Sequence, residues 1–206
     1  YGSQASSGAI IITTKKGKTD GKLRLAYDNS FRFSKLTRFP DYSTKWSPGR
    51  NGAPLGDFYY FGPAYTGSEK TYDNVDAFFQ TGFAQTHNLS ADFGKKNASF
   101  RASGSAFNQE GVVPENKFKR YTARLTNNTK IGKLLEFTPS ISYVRTTNDK
   151  PKRGAGSYLL NLLLWPTTND VRNYMNADGT KDLVYASAPN SEIDNPFFSV
   201  YNNKGY

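Results

Sequence analysis

The chain has 206 residues, a formal charge of +10, 15% aromatics, one His and no Cys. The missing Cys excludes a disulfide framework, a thiolate metal site and a cysteine nucleophile, and a single His excludes a histidine-cluster metal centre. Disorder is excluded too, because disordered segments are depleted in aromatics.

No apolar run reaches the ~20 residues of a membrane-spanning helix. The longest, from Leu159 to Trp165, is interrupted by Asn161. Barrel strands of ~9–11 alternating residues escape that test. The chain opens Tyr1-Gly-Ser-Gln4 without Met, a basic region or an apolar leader. A piece of a longer protein is therefore expected.

In chain order, Ala9-Ile-Ile-Ile-Thr-Thr-Lys-Lys16 reads as a buried strand between Gly8 and Gly17. Residues 22–34 alternate. Leu23, Leu25, Tyr27, Phe31 and Phe33 share one face; Arg24, Ala26, Asp28, Ser30, Arg32 and Ser34 share the other. Residues 35–82 hold Pro40, Pro48, Pro54 and Pro63 and no sustained period. Asp41 is the candidate N-cap of one helical turn to Lys45. So long a loop signals either function or an element the pattern does not show.

Alternation returns over 83–93, 98–108, 118–130 and 135–147. Gly94-Lys-Lys-Asn97 and the segment around Gly132 read as hairpin turns. Pro139 implies a bulge or an irregular ladder position, since it has no N–H to donate. Beyond 148 the period changes. Ser157 is a plausible N-cap for a helix from Tyr158 to about Leu164, stopped by Trp165-Pro166. The rest, including Asn195-Pro196, reads as turns and loop.

The connections are unequal. Two short turns (94–97 and 131–134) alternate with a 109–117 loop and with long loops over 35–82 and 148–206. Because strands alternate in direction, short turns gather at one end and long loops at the other. Transmembrane β-barrels have this asymmetry, with apolar side chains outward and polar ones inward. A soluble sandwich also alternates, although its long loops scatter over both ends. Five such strands cannot close a barrel, and an open edge in lipid leaves backbone groups unpaired. Most of a barrel would then lie outside this sequence.

The segment Tyr1-Gly-Ser-Gln-Ala-Ser-Ser-Gly-Ala-Ile-Ile-Ile-Thr-Thr-Lys-Lys-Gly17 resembles the end of the plug domain of TonB-dependent outer-membrane transporters, in the SusC/RagA branch. Tyr1, Gly2, Ser3 and Gly8 carry the motif. Gln4 stands where that family more often has Arg. Phe78-Phe-Gln-Thr-Gly82 before Thr86-His-Asn-Leu-Ser90, then Gln109-Glu-Gly-Val112, Phe118-Lys-Arg-Tyr121 and Asn195-Pro196, are also similar.

The resemblance implies an all-β fold, an antiparallel segment of a ~22-stranded plugged barrel. Residues 1–18 would end the plug domain, and 19–206 would form the first part of the barrel. It also implies TonB-dependent import of an oligosaccharide or peptide across the outer membrane of a Bacteroidetes-type bacterium, with no enzymatic step and no cofactor. The implied partners are a SusD-like surface lipoprotein, outer-membrane lipid, and TonB acting through a region absent here. A soluble β-rich carbohydrate-binding module and a β-rich hydrolase are the alternatives.

Other signals have ordinary explanations. Gly17-Lys-Thr19 lacks the earlier Gly and the following helix of a phosphate loop. His87 falls on an apolar strand face with no partner for base catalysis visible in sequence. Asp73/Asp76 and Glu192/Asp194 are close acidic pairs in loops. Proximity in sequence does not set the ~5–10 Å separation across a sugar that glycosidases use.

The positive charge does not form a phosphate-tracking stripe, so nucleic acid is not expected. Residues 1–40 and 83–148 carry +6 each, 41–82 carry −2 and 149–206 carry none. Arg24, Arg32, Arg101, Arg120 and Arg124 sit on polar strand faces, where a wet lumen would hold them. Segment 41–82 is rich in aromatics, with Tyr42, Trp46, Phe58, Tyr59, Tyr60, Phe61, Tyr65, Tyr72, Phe78 and Phe79. Aromatic faces can stack on sugars or anchor a partner. Trp46, Tyr59, Tyr60, Tyr65 and Trp165 are the candidate substrate contacts.

Overall fold

The computed structural model describes residues 15–42, 44–54, 58–154, 156–184 and 193–202. The Tyr1, Gly2, Ser3 and Gly8 motif and the Ile-rich strand expected from Ala9 lie outside the described residues, apart from Lys15 and Lys16, which are in no strand. The elements are β1 (Arg24–Ser34), β2 (Gly49–Arg50), β3 (Ala53–Pro54), α1 (Asn74–Phe78), β4 (Gly82–Lys95), β5 (Ala98–Glu110), β6 (Lys117–Ile131), β7 (Leu135–Phe137), β8 (Ser140–Asp149), α2 (Tyr158–Leu164) and α3 (Pro196–Asn202).

The main sheet is an antiparallel meander in the order β1-β4-β5-β6-β7, with β8 also on β6. Among the described residues it does not close. Lys96, at φ +53°, and Gly132, at φ +64°, make its tight turns. Only the second uses the residue that enters the left-handed region without steric cost. Pro139 interrupts the last strand, so β7 and β8 flank a break at 138–139. The Pro139 carbonyl still accepts from Asn127 N–H at 3.0 Å, so only the donor that proline lacks is lost.

The chain divides into two compact units. One comprises the described parts of 1–29 with 87–106 and 120–145; the other comprises 30–86, 107–119 and 146–206 as far as described. In the first, the entry segment 15–20 lies close against strand backbone. A Cβ on Gly17 would stand 2.6 Å from Phe100 O, and one on Gly94 would stand 2.3 Å from Lys18 O.

The second unit holds an apolar core of Phe78, Val113, Leu162, Trp165, Val171 and Val200. The Phe78 ring packs against Tyr158 and Phe197, at centroid distances of 5.6 and 5.1 Å. The long connections are therefore folded, which corrects their reading as loop. No helix starts at Asp41 among the described residues. The cap is Asp73, whose carboxylate accepts from Asp76 N–H at 2.9 Å to open α1.

Helix α2 lies where the sequence placed it, but Ser157 makes no side-chain cap bond. Trp165 leaves the helix in an extended conformation, as a residue before proline must. Helix α3 corrects the reading of the tail as loop. Asn195 Oδ1 accepts from Phe197 N–H at 2.8 Å, and Pro196 occupies the first helical position, where its missing N–H has no cost.

Candidate functional site

The strands carry two unlike faces. On the polar face, Asp20 grips the Arg24 guanidinium, and Asn88 Nδ2 donates to Asp28 at 2.8 Å. Arg101 donates to Asp92 at 2.7 Å, with both side chains largely buried. Arg124 donates to Ser140 Oγ at 3.5 Å. Asn128 Nδ2 bridges Glu136 and Thr138, and Lys16 meets the same Glu136 carboxylate at 2.7 Å. Arg32 and Arg120 are exposed and share strand parity with Arg24 and Arg124 respectively. These bonds link β1 to β4, β4 to β5, and β6 to β7 and β8. They are cross-strand pairs that set register.

The other face is apolar and uncovered. Leu23, Leu25, Tyr27, Phe31, Phe33, Leu89, Phe93, Phe100, Leu125 and Ile141 are all exposed. Half-exposed Leu, Phe or Ile forgoes about 1 kcal/mol of transfer energy, on the order of 10 kcal/mol for the row. That rivals the ~5–15 kcal/mol stability of a whole domain. A face of this kind needs an apolar medium or partner. Within it, Tyr27 OH and His87 Nδ1 are 2.7 Å apart with stacked rings, which gives His87 a structural role.

The long connections of the second unit present the aromatics. β2 pairs with β3, and isolated bridges join residues 46–49 to 60–64, with Tyr65 N–H donating to Lys45 O at 3.0 Å and Phe61 N–H to Gly49 O at 3.1 Å. Trp46 and Tyr59 are about half exposed. The Arg50 guanidinium lies 4.0 Å from the centre of the Tyr59 ring. Tyr60 is partly buried and donates to Leu164 O at 2.8 Å. Tyr65 is partly buried as well.

Trp165 corrects its expected role. It is 3% exposed, lies in the core and donates through Nε1 to Asn169 O at 3.1 Å, so no ligand reaches it in this conformation. Phe61 is 69% exposed and shares parity with Tyr59. The period-2 alternation that turns Tyr59 and Phe61 outward and Tyr60 inward is the signal of that exposure.

The acidic pairs have structural uses. Asp73 caps α1, and Asp194 is ion-paired with Lys181; Glu192 lies outside the described residues. Glu69 accepts from Thr66 N–H, Gly67 N–H and Thr66 Oγ1, and these bonds pull its carboxyl down to about 2. The Arg172 fork holds Asp170 below the usual carboxylate range. Among the described residues no group of three or more His, Cys, Asp or Glu could hold a metal ion.

No family model matches the sequence. Curated relatives do. The TonB-dependent receptor SusC of Bacteroides thetaiotaomicron is 36% identical over 124 residues, 60% of this chain and 12% of that protein. The TonB-dependent receptor P3 of Formosa agariphila is 27% identical over 202 residues, 96% of this chain and 19% of that protein. The chain thus spans less than a fifth of the length of these relatives. A solved structure of the RagAB peptide importer in its closed-closed state superposes with a TM-score of 0.63 at 20% identity, covering 96% of this chain and 26% of that one. The chain is thus similar in sequence to part of TonB-dependent receptors, SusC among them, and shares the fold of the matching part of the RagAB peptide importer.

Proposed function

We propose that this chain is part of a TonB-dependent importer that carries an oligosaccharide or peptide across the bacterial outer membrane. One observation carries the reading: a meander whose polar face is hydrogen-bonded across strands while its other face leaves large apolar side chains exposed. Lipid covers such side chains, and a wet lumen suits the opposite face. In this reading residues 1–18 end the plug, 19–206 begin the barrel, and Arg24, Arg32, Arg101, Arg120 and Arg124 line the lumen.

The folded connections 35–82 and 148–206 face outside, toward a SusD-like lipoprotein and the ligand. Trp46, Tyr59 and Phe61 offer it aromatic faces, while TonB engages a part of the protein beyond this sequence. Transport proceeds by capture and gated release, and no bond in the substrate is broken.

The test is uptake of labelled oligosaccharides and peptides by cells expressing the full-length gene. Uptake should stop when a protonophore collapses the proton-motive force. The intact polypeptide should need detergent for extraction and exceed roughly 100 kDa, as a ~22-stranded plugged barrel requires. A polypeptide of 23.0 kDa, the mass of this chain, recovered without detergent would sink the proposal.

A further inference from the structure

Lysines converge at the short-turn end of the sheet: Lys18 and Lys22 from the entry segment, Lys95 and Lys96 from the β4–β5 turn, Lys130 and Lys133 from the β6–β7 turn. All are exposed. Backbone bonds bring the three segments together, Gly21 N–H to Gly94 O and Lys130 N–H to Asn97 O, each 2.7 Å. Asp20 and Glu136, the carboxylates at this end, are already held by Arg24 and Lys16. The positive charge is therefore left largely uncompensated.

Directly beside it the apolar face is hollowed into a depression of about 360 Å³ lined by Leu23, Phe93, Phe100, Leu125 and Ile141. Small side chains, Ala91 and Ala102, also line it. Leu134, at the tip of a turn next to Lys133, is 96% exposed.

Cations bordering an apolar hollow match the two ends of a phospholipid. We propose that this end of the sheet binds anionic phospholipid, its lysines meeting the headgroup phosphates and the depression receiving an acyl chain. The inference rests on the membrane reading proposed above. Several points favour lipid over an acidic protein segment. The charge comes from lysines on flexible stems, which serve as point charges for phosphate and reach to an interface. It borders an open apolar face, whose Leu23, Leu125 and Ile141 are all exposed. Leu134 is also placed to enter the same interface. Each lysine near an anionic surface favours association by about fivefold.

The experiment uses the full-length receptor containing this chain, purified in detergent and offered equal amounts of phosphatidylglycerol and phosphatidylethanolamine. Retained lipid is read by native mass spectrometry. Phosphatidylglycerol should be retained about fivefold or more over phosphatidylethanolamine. The combined Lys95→Gln, Lys96→Gln and Lys133→Gln variant should bring the ratio close to one. Lys150→Gln with Lys152→Gln should leave it unchanged. Ala102→Phe, which fills the depression, should lower retention of both lipids.

Equal retention of both lipids by the unsubstituted receptor would overturn the proposal. A preference that survives the triple substitution would do the same. A receptor that stays in the aqueous phase without detergent would instead defeat the membrane reading itself, and the lipid site with it.

Discussion

Asn74, Asn161 and Asn195 are buried, and each ties segments distant in sequence. Asn74 donates to Pro166 O and Asn169 O and accepts from Val171 N–H, all within 3.1 Å. Asn161 donates to Ser199 Oγ at 2.9 Å, and Asn195 to Val171 O at 2.7 Å. Truncating Asn74 leaves Val171 N–H without its acceptor, whereas Asn169 O keeps the bond from Trp165 Nε1 and Pro166 O the one from Asn169 N–H. Asn74→Ala should therefore cost the second unit about 1–3 kcal/mol, measured by hydrogen exchange of its core amides. Trp46→Ala and Tyr59→Ala should leave those amides unchanged and weaken ligand binding roughly tenfold, as loss of an exposed aromatic contact does. Binding unaffected by both would remove these side chains from the site. Glu69 supplies a pH test. Its folded carboxyl titrates near 2 against an ordinary 4.5, so its contribution is full above about 4.5. As pH falls from there through about 2, that contribution is lost. Protection of the Thr66 and Gly67 amides should fall over that window, and Glu69→Gln should abolish the change.

At the scale of elements, the long strands and helix α2 were legible in the sequence, whereas α1 and α3 were not. The strands expected at 83–93 and 98–108 stand at Gly82–Lys95 and Ala98–Glu110. Long runs of period 2 average over many residues, so turn chemistry decides only their ends. Helix α1 has five residues and α3 has seven, too few to display a helical period; α2, equally short, was marked instead by Ser157 before it and Trp165-Pro166 after it. Asn195-Pro196 did hold the signature of a helix start, a capping amide before a proline at the first position, yet reads equally well as a turn. The entry segment yields a prediction at this scale. Gly94→Ala places a methyl group 2.3 Å from Lys18 O, whereas Gly104→Ala meets nothing nearer than 3.8 Å. The first should cost about 1–3 kcal/mol and expose Lys18 to trypsin, because one of two backbones must move. The second should be silent. Equal trypsin sensitivity in both variants would show that the segment is not seated on Gly94.

For the whole molecule, the decisive feature is the apolar row left in the open. Leu89 is 57% exposed on β4, flanked along the same strand face by His87 and Ala91. Leu89→Arg should weaken folding into lipid vesicles by about 2–4 kcal/mol, the cost of a guanidinium on a lipid face near mid-membrane. Ser90→Arg, on the opposite parity of β4, should be tolerated several-fold better. Denaturant midpoints in vesicles measure both. Equal costs would show that the two faces meet the same medium.

The sequence by itself determined the long strands of the main sheet, the alternation of their faces, the short turns between them and the family likeness. Each depends on residues adjacent in the chain or two apart. Only the tertiary structure decided that Trp165 is sealed while Trp46 and Tyr59 are open, that three asparagines hold the long connections together, and that scattered lysines meet at one end. Those outcomes depend on which distant segments share a core or a sheet edge. A local pattern does not encode that choice, because burial is settled by partners such as Phe78, whose ring packs against Tyr158 and Phe197, 80 and 119 residues further along the chain.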